Sequence, residues 1–242
     1  MPALALDAID LAALLSSRIC HDIISPVGAI INGLEVLEEE KDAEMRGYAL
    51  DLIKKSAGQA SARLQFCRLA FGAAGSAGAL IDTSDAELVA RGVFSGERTQ
   101  LDWKAPPLLM PKNTVKLILN LCLAASAAIP RGGTVEVKLE GTANEPRLTV
   151  SARGTNAKLP AQLAPLLLGE PDHAPSTPQD VQAYYAGLIA KAAGMAVTVT
   201  AEANLVAIEA KHSKPSACAG GGAFTQAPEA DGDTDAIRLA AG

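Results

Sequence analysis

The stretch His21-Asp22-Ile23-Ile24-Ser25-Pro26-Val27-Gly28-Ala29-Ile30 sits inside a run whose apolar residues return at intervals of four and three. Ile19, Ile23, Pro26, Ile30, Gly33 and Leu37 fall on one stripe, the spacing of a coiled-coil seam. That spacing predicts a helix over about 8–40 with the stripe facing a partner helix. In the same register His21 takes the outermost heptad position and points away from the seam. Ser17 and Ser25, two near neighbours on the helix surface, and Gly28, two turns on, leave the ring in a shallow setting of small side chains. Such a ring suits a partner that must approach it closely. Pro26 lacks an N–H, so the carbonyl of Asp22 loses its helical donor and the helix should bend there, at a cost of about 3 kcal/mol in an otherwise regular helix.

A second helix over about 43–72 repeats the seam through Met45, Ala49, Leu52, Ser56, Leu64, Cys67 and Phe71. Only a short turn at Lys41-Asp42 separates the two, which makes them an antiparallel hairpin. Glu38-Glu39-Glu40 before it reads as a solvated helix end, its sign opposed to the helix dipole. A lone hairpin cannot bury stripes this long, and pairing two hairpins into a four-helix bundle is the simplest remedy. The expectation is therefore a homodimer built on a domain spanning residues 1–75. The Gly- and Ala-rich segment from Gly72 to Ala79 is the predicted linker.

Residues 80–212 read as a mixed α/β domain. Ser84 with Glu87 resembles a capping box opening a helix to about Val93, and Pro111 stands in the first turn of a helix to about Ile129. Strands are expected near 99–104, 134–140, 147–152, 196–201 and 205–211, the last two as a hairpin. A short helix fits 160–168 and a longer one 178–193, capped by Thr177. From residue 213 to 242 periodicity vanishes among Ala, Gly and Pro, and a disordered tail is expected.

Composition excludes several functions. The net charge is −6 and no basic cluster offsets it, so no nucleic-acid partner is expected. No basic segment precedes the first apolar residues, and no uncharged apolar run reaches the roughly 20 residues of a membrane span. Cysteines at 20, 67, 122 and 218 form no close pairs, which fits reduced thiols in a cytoplasmic protein. Cys20-His21 has no second ligand pair at metal-binding spacing, so no metal site is expected. His173 and His212 read as solvated residues.

Residues 8–72 resemble the dimerisation and phosphotransfer domain of histidine kinases, whose phosphoacceptor box runs His, acidic, aliphatic, any residue, polar, Pro. His21, Asp22, Ile23, Ser25 and Pro26 match it position by position. The second half resembles the ATP-binding domain of the same enzymes, an α/β-sandwich of the Bergerat (GHKL) type. Leu119-Asn120-Leu121, followed by Ile129-Pro130-Arg131-Gly132-Gly133 and the next strand, looks like the N-box region. The fold class implied is α plus α/β, the hairpin first and the sandwich second.

The departures carry as much weight as the matches. The asparagine that holds the nucleotide's magnesium falls at Ala124. The aspartate that reads adenine should follow the strand ending near Val150, yet Ser151-Ala152-Arg153-Gly154 contains no carboxylate. Asn156 replaces the second glycine of that box, and Gln182-Ala183-Tyr184-Tyr185-Ala186-Gly187 replaces the glycine-rich phosphate turn. Methyl groups neither coordinate a cation nor accept a hydrogen bond from adenine. A kinase body that keeps its histidine and loses its nucleotide ligands resembles the ChpT family of histidine phosphotransferases of α-proteobacteria.

That resemblance implies a phosphorelay intermediate with no cofactor of its own and no ATP. His21 would take phosphoryl from the receiver domain of a hybrid histidine kinase (CckA in that family) and pass it to CtrA-like and CpdR-like response regulators of the cell cycle. The receiver would supply Mg²⁺ and a lysine. His21 and Asp22 are the catalytic candidates; Ser17, Arg18, Ile24, Ser25, Gly28, Asn32 and Arg63 are the candidates for receiver contact. Asp22 would hold the Nδ1 proton and leave Nε2 as nucleophile. Ser25 stands where bifunctional kinases place a Thr or Asn that orients a hydrolytic water, but a small residue admitting the partner is the preferred reading. Arg63 should lie level with His21, either packed by its stem or meeting the incoming phosphoryl group. The competing functions are an ATP-dependent histidine kinase with an unorthodox pocket and a non-catalytic scaffold for response regulators.

Overall fold

The computed structural model describes residues 6–72, 78–94, 96, 98–143, 145–171 and 173–212. The predicted tail at 213–242 and residues 73–77 of the predicted linker lie outside them. Helix α1 spans Ala8–Glu39 and α2 spans Ala43–Ala70. The Asp7 carboxylate caps α1 by accepting from the amides of Ile9 and Asp10, and Asp42 caps α2 through the Met45 amide. The turn between them is more organised than a solvated end: Glu40 accepts from the amides of Lys41 and Asp42 at 2.9 and 3.0 Å. Arg46 donates to the carbonyls of Leu37 and Glu40, which the end of α1 leaves without helical donors.

Along α1 the expected stripe does face α2. Pro26 and Gly33 are buried, while Ile19, Ile23, Ile30 and Leu37 are half-buried. A Cβ on Gly33 would come within 2.7 Å of Ile53 Cγ1, so the helices pack there at a distance only glycine permits. On α2 the expected stripe divides. Ala49, Ser56 and Cys67 turn inward with Ala60, whereas Met45, Leu52 and Leu64 are exposed. Among the described residues one helix, α1, reaches the length and apolarity of a membrane span. It carries Arg18, His21 and Asp22 along its length, and its seam lies on α2.

The second half consists of β1 (Leu80–Asp82), α3 (Thr83–Val93), β2 (Thr99–Trp103), β3 (Leu109–Pro111), α4 (Lys112–Ala127), β4 (Gly133–Gly141), β5 (Pro146–Arg153), α5 (Leu163–Leu168), α6 (Pro178–Ala192), β6 (Met195–Glu202) and β7 (Leu205–His212). Five strands form one sheet in the order β2-β4-β5-β7-β6; β2 runs parallel to β4 and the other neighbours are antiparallel. Val135 and Val137 on β4, Leu148 and Val150 on β5, and Val206 and Ile208 on β7 all point to the face covered by α4 and α6. The opposite face carries the charged cluster in which Glu136 meets Lys104 and Lys138.

Two features differ from the sequence reading. The cap of α3 is Asp82, which accepts from the Ser84 amide, not Ser84 itself. β1 and β3 form a two-stranded antiparallel ribbon that three-residue strands without alternation do not announce. The turn before β4 follows the glycines closely. Gly132 adopts φ +98°, and a Cβ there would lie 2.2 Å from the Arg98 carbonyl.

The open end of the hairpin shares a hydrophobic core with the second half. Phe66 meets Phe94 edge-on, with ring centroids 6.4 Å apart, and Ala70 is fully buried. Asn120, buried on α4, donates to the Ala70 carbonyl at 3.2 Å, and Tyr185 donates to the Phe71 carbonyl at 3.4 Å. The Leu6 amide donates to the Tyr184 hydroxyl at 3.2 Å.

Candidate functional site

His21 stands on the exposed face of α1, its side chain 60% accessible. Its Nδ1 lies 3.3 Å from Asp22 Oδ1. The other carboxylate oxygen, Oδ2, accepts from Arg18 Nε at 3.0 Å, a pair four residues apart on one helix face. Arg18 is only 12% exposed and its Nη1 also donates to the carbonyl of Pro178 at 3.3 Å. An unbroken chain of polar contacts therefore runs from the His21 ring through Asp22 and Arg18 to the start of α6.

Arg63 reaches across from α2 and donates to the backbone carbonyl of Asp22 at 2.6 Å. That carbonyl is the one Pro26 cannot serve. Arg63 therefore engages the helix backbone beneath the histidine, at the level of His21. Cys67 lies at the same level, buried, with its thiol pushed up to about 11 chiefly by burial and secondarily by the Asp22 charge. It is a packing residue with little thiolate character.

The expected receiver-contact residues divide by exposure. Ser17, Ile24, Ser25 and Asn32 are exposed, and Ile24 leaves 71% of its surface uncovered. A Cβ on Gly28 would meet nothing within 4 Å, so the glycine answers to no contact inside this chain. Arg18 is turned inward onto Asp22 and Pro178, which takes it out of this exposed set. Beside Asp22 opens a cleft of about 350 Å³, bounded by Arg18, Arg63 and Cys67 of the hairpin and by Phe94, Arg98 and Ile129 of the second half. The second-half residues of this cleft were missed from sequence, because they meet the hairpin only through the shared core. His173, read as solvated, is half-buried. Among the described residues no three His, Cys, Asp or Glu side chains converge as a metal site.

Residues 83–204 match the family model of the histidine phosphotransferase C-terminal domain. The chain is 49% identical over 206 residues to protein phosphotransferase ChpT of Brucella abortus (strain 2308), covering 85% of this chain and 97% of that protein. The chain belongs to the ChpT family of protein phosphotransferases. A solved structure of a bacterial phosphotransferase matches with a TM-score of 0.78 and 46% identity, covering 86% of this chain and 98% of the other. The ChpT-family fold is thus a helical hairpin followed by an α/β sheet region.

Within this ChpT-family chain, the positions that the kinase resemblance assigns to a nucleotide serve packing. Ala124 and Ala152 are fully buried in the core. Gln182, where a phosphate turn would begin, is buried and donates to the Asn120 carbonyl at 2.7 Å. Helix α5 occupies the connection between β5 and α6 and buries Leu163, Leu166 and Leu167. Gly187 packs so tightly on it that a Cβ would lie 2.4 Å from the Leu166 carbonyl. Asn156 keeps the left-handed conformation of a missing glycine, with φ +57°, as asparagine can. The residues present do not fit a magnesium nucleotide.

Proposed function

We propose that this protein is the histidine phosphotransferase of a multistep phosphorelay, with His21 as phosphoacceptor. The observation that carries the reading is the accessible His21 ring with Asp22 beside its Nδ1. With the proton on Nδ1, the ring donates to Asp22 Oδ1 and Nε2 keeps its lone pair for phosphorus. Nε2 attacks the phosphoryl group of a receiver aspartyl phosphate; the N–P bond forms, the P–O bond to the carboxylate breaks, and the aspartate leaves as carboxylate. The ring now carries positive charge, which the Asp22 carboxylate offsets. The reverse steps load the next receiver.

The donor is the receiver domain of a CckA-like hybrid kinase and the acceptors are CtrA-like and CpdR-like response regulators, in a cytoplasmic cell-cycle relay. Mg²⁺ arrives on the receiver. The chain works without ATP, as the alanines at 124 and 152 and the amide at 182 support. It acts as a homodimer. Val27, Ile31 and Leu34 on α1, with Met45, Tyr48 and Leu52 on α2, form apolar surface that a second hairpin would cover. The deciding experiment mixes the purified protein with phosphorylated receiver domains. Acid-labile phosphate should appear on the wild type and not on His21→Ala, and Mg-ATP alone should label neither. Transfer by His21→Ala, or labelling of the wild type from Mg-ATP that is lost in His21→Ala, overturns the reading.

A further inference from the structure

We infer that Arg18 is a positioning residue through which the second half of the chain sets the nucleophile; this rests on His21 being the phosphoacceptor. A carboxylate next to a histidine in sequence is not thereby aimed at it, because the Asp22 side chain can rotate into solvent. What aims it here is Arg18. Its Nε holds Oδ2 at 3.0 Å, which turns Oδ1 toward His21 Nδ1 at 3.3 Å. Arg18 is in turn fixed from outside its own helix, by the Pro178 carbonyl at 3.3 Å.

That carbonyl is itself well held. Pro178 opens α6, and Thr177 and Asp180 close a reciprocal capping box around it: the Thr177 amide donates to Asp180 Oδ2 at 3.0 Å and the Asp180 amide to Thr177 Oγ1 at 3.1 Å. Asp180 is 3% exposed. The geometry suits arginine and not lysine, since the separate nitrogens of one planar fork reach a carboxylate and a carbonyl at once, whereas the three donors of an ammonium all radiate from one nitrogen. The second half thus acts on the phosphotransfer site through a fixed backbone carbonyl. The neutral His21 ring is thereby held in the Nδ1–H tautomer, the form with a free Nε2 lone pair.

The test compares Arg18→Lys and Arg18→Gln with the wild type, on full-length protein that far-UV circular dichroism shows to be folded at the assay temperature. Nitrogen-15 shifts of the unphosphorylated His21 ring should move toward the Nε2–H tautomer in both variants. The limiting rate of transfer from a saturating phosphorylated receiver should fall about tenfold, by analogy with the low end of the loss seen when the partner that orients a metal-ligating histidine is removed. The receiver concentration giving half the limiting rate should stay within twofold. A raised half-saturating concentration with an intact limiting rate would make Arg18 a receiver contact and overturn the inference, as would an unchanged tautomer ratio. His21→Ala runs alongside: transfer by that variant would sink the underlying function, whereas the tautomer measurement tests Arg18 without any transfer.

Discussion

Arg63 donates to the main-chain carbonyl of Asp22 at 2.6 Å, the acceptor that Pro26 leaves without a helical partner. Helix α1 therefore continues through its proline from Ala8 to Glu39, its missing hydrogen bond replaced from the neighbouring helix. Arg63→Ala should destabilise the protein by about 1–3 kcal/mol, because a half-buried carbonyl loses its donor. In a Pro26→Ala background the restored amide serves that carbonyl, and the same substitution should cost about 1 kcal/mol less. Urea unfolding of the four proteins of this cycle checks it; equal costs in both backgrounds would mean that the arginine stabilises through other contacts.

Two glycines on α1 should respond oppositely. Gly28→Ala should leave folding intact and raise stability by about 0.5–1 kcal/mol, since the new methyl meets nothing and helix propensity improves. Gly33→Ala drives a methyl to 2.7 Å from Ile53 Cγ1 and should cost about 1–3 kcal/mol. Gly28→Arg and Ser25→Arg should fold and dimerise yet lose phosphoryl acceptance from the receiver. Thermal melts and a transfer assay separate these effects.

His21→Ala should change stability by no more than about 0.5 kcal/mol, since the ring is largely exposed. Its phosphoryl acceptance should be lost altogether. Calorimetry beside the transfer assay shows whether the two properties part in this way.

Light scattering should give twice the mass of one chain. Ile31→Glu or Leu52→Glu should dissociate the dimer while each hairpin survives, because both side chains are exposed. Ile30→Glu faces the seam between α1 and α2 and should unfold the hairpin instead. A wild-type monomer at micromolar concentration would refute the bundle.

Cys20 is exposed, whereas Cys67 and Cys122 are buried, with thiols pushed up to about 11 and about 12. Burial disfavours the thiolate at both, so neither is a competent nucleophile at pH 8. Iodoacetamide on the native protein should therefore label Cys20 within minutes and spare Cys67 and Cys122 until denaturant is added. Peptide mass spectrometry reads the order directly.

The hairpin, the outward placement of His21 and the strands of the sheet were legible in the sequence. All three are written in local periodicity: four-and-three spacing from Ile19 to Leu37, and alternation through Val135 and Val137 or Leu148 and Val150. Pro26 even announced the orphaned carbonyl of Asp22, because a missing N–H is a property of the residue type. What filled the vacancy was not legible, since Arg63 lies 41 residues away on another helix. The same holds for Arg18, an apparent surface arginine until α6 places the Pro178 carbonyl against it, 160 residues on. It holds again for the edge-on contact of Phe66 with Phe94, which joins the hairpin to the second half through one core. Deleting the second half would expose that core and release Arg18. Periodicity records which face of an element is apolar, and residue chemistry records what each group needs. Only packing decides which distant group supplies it.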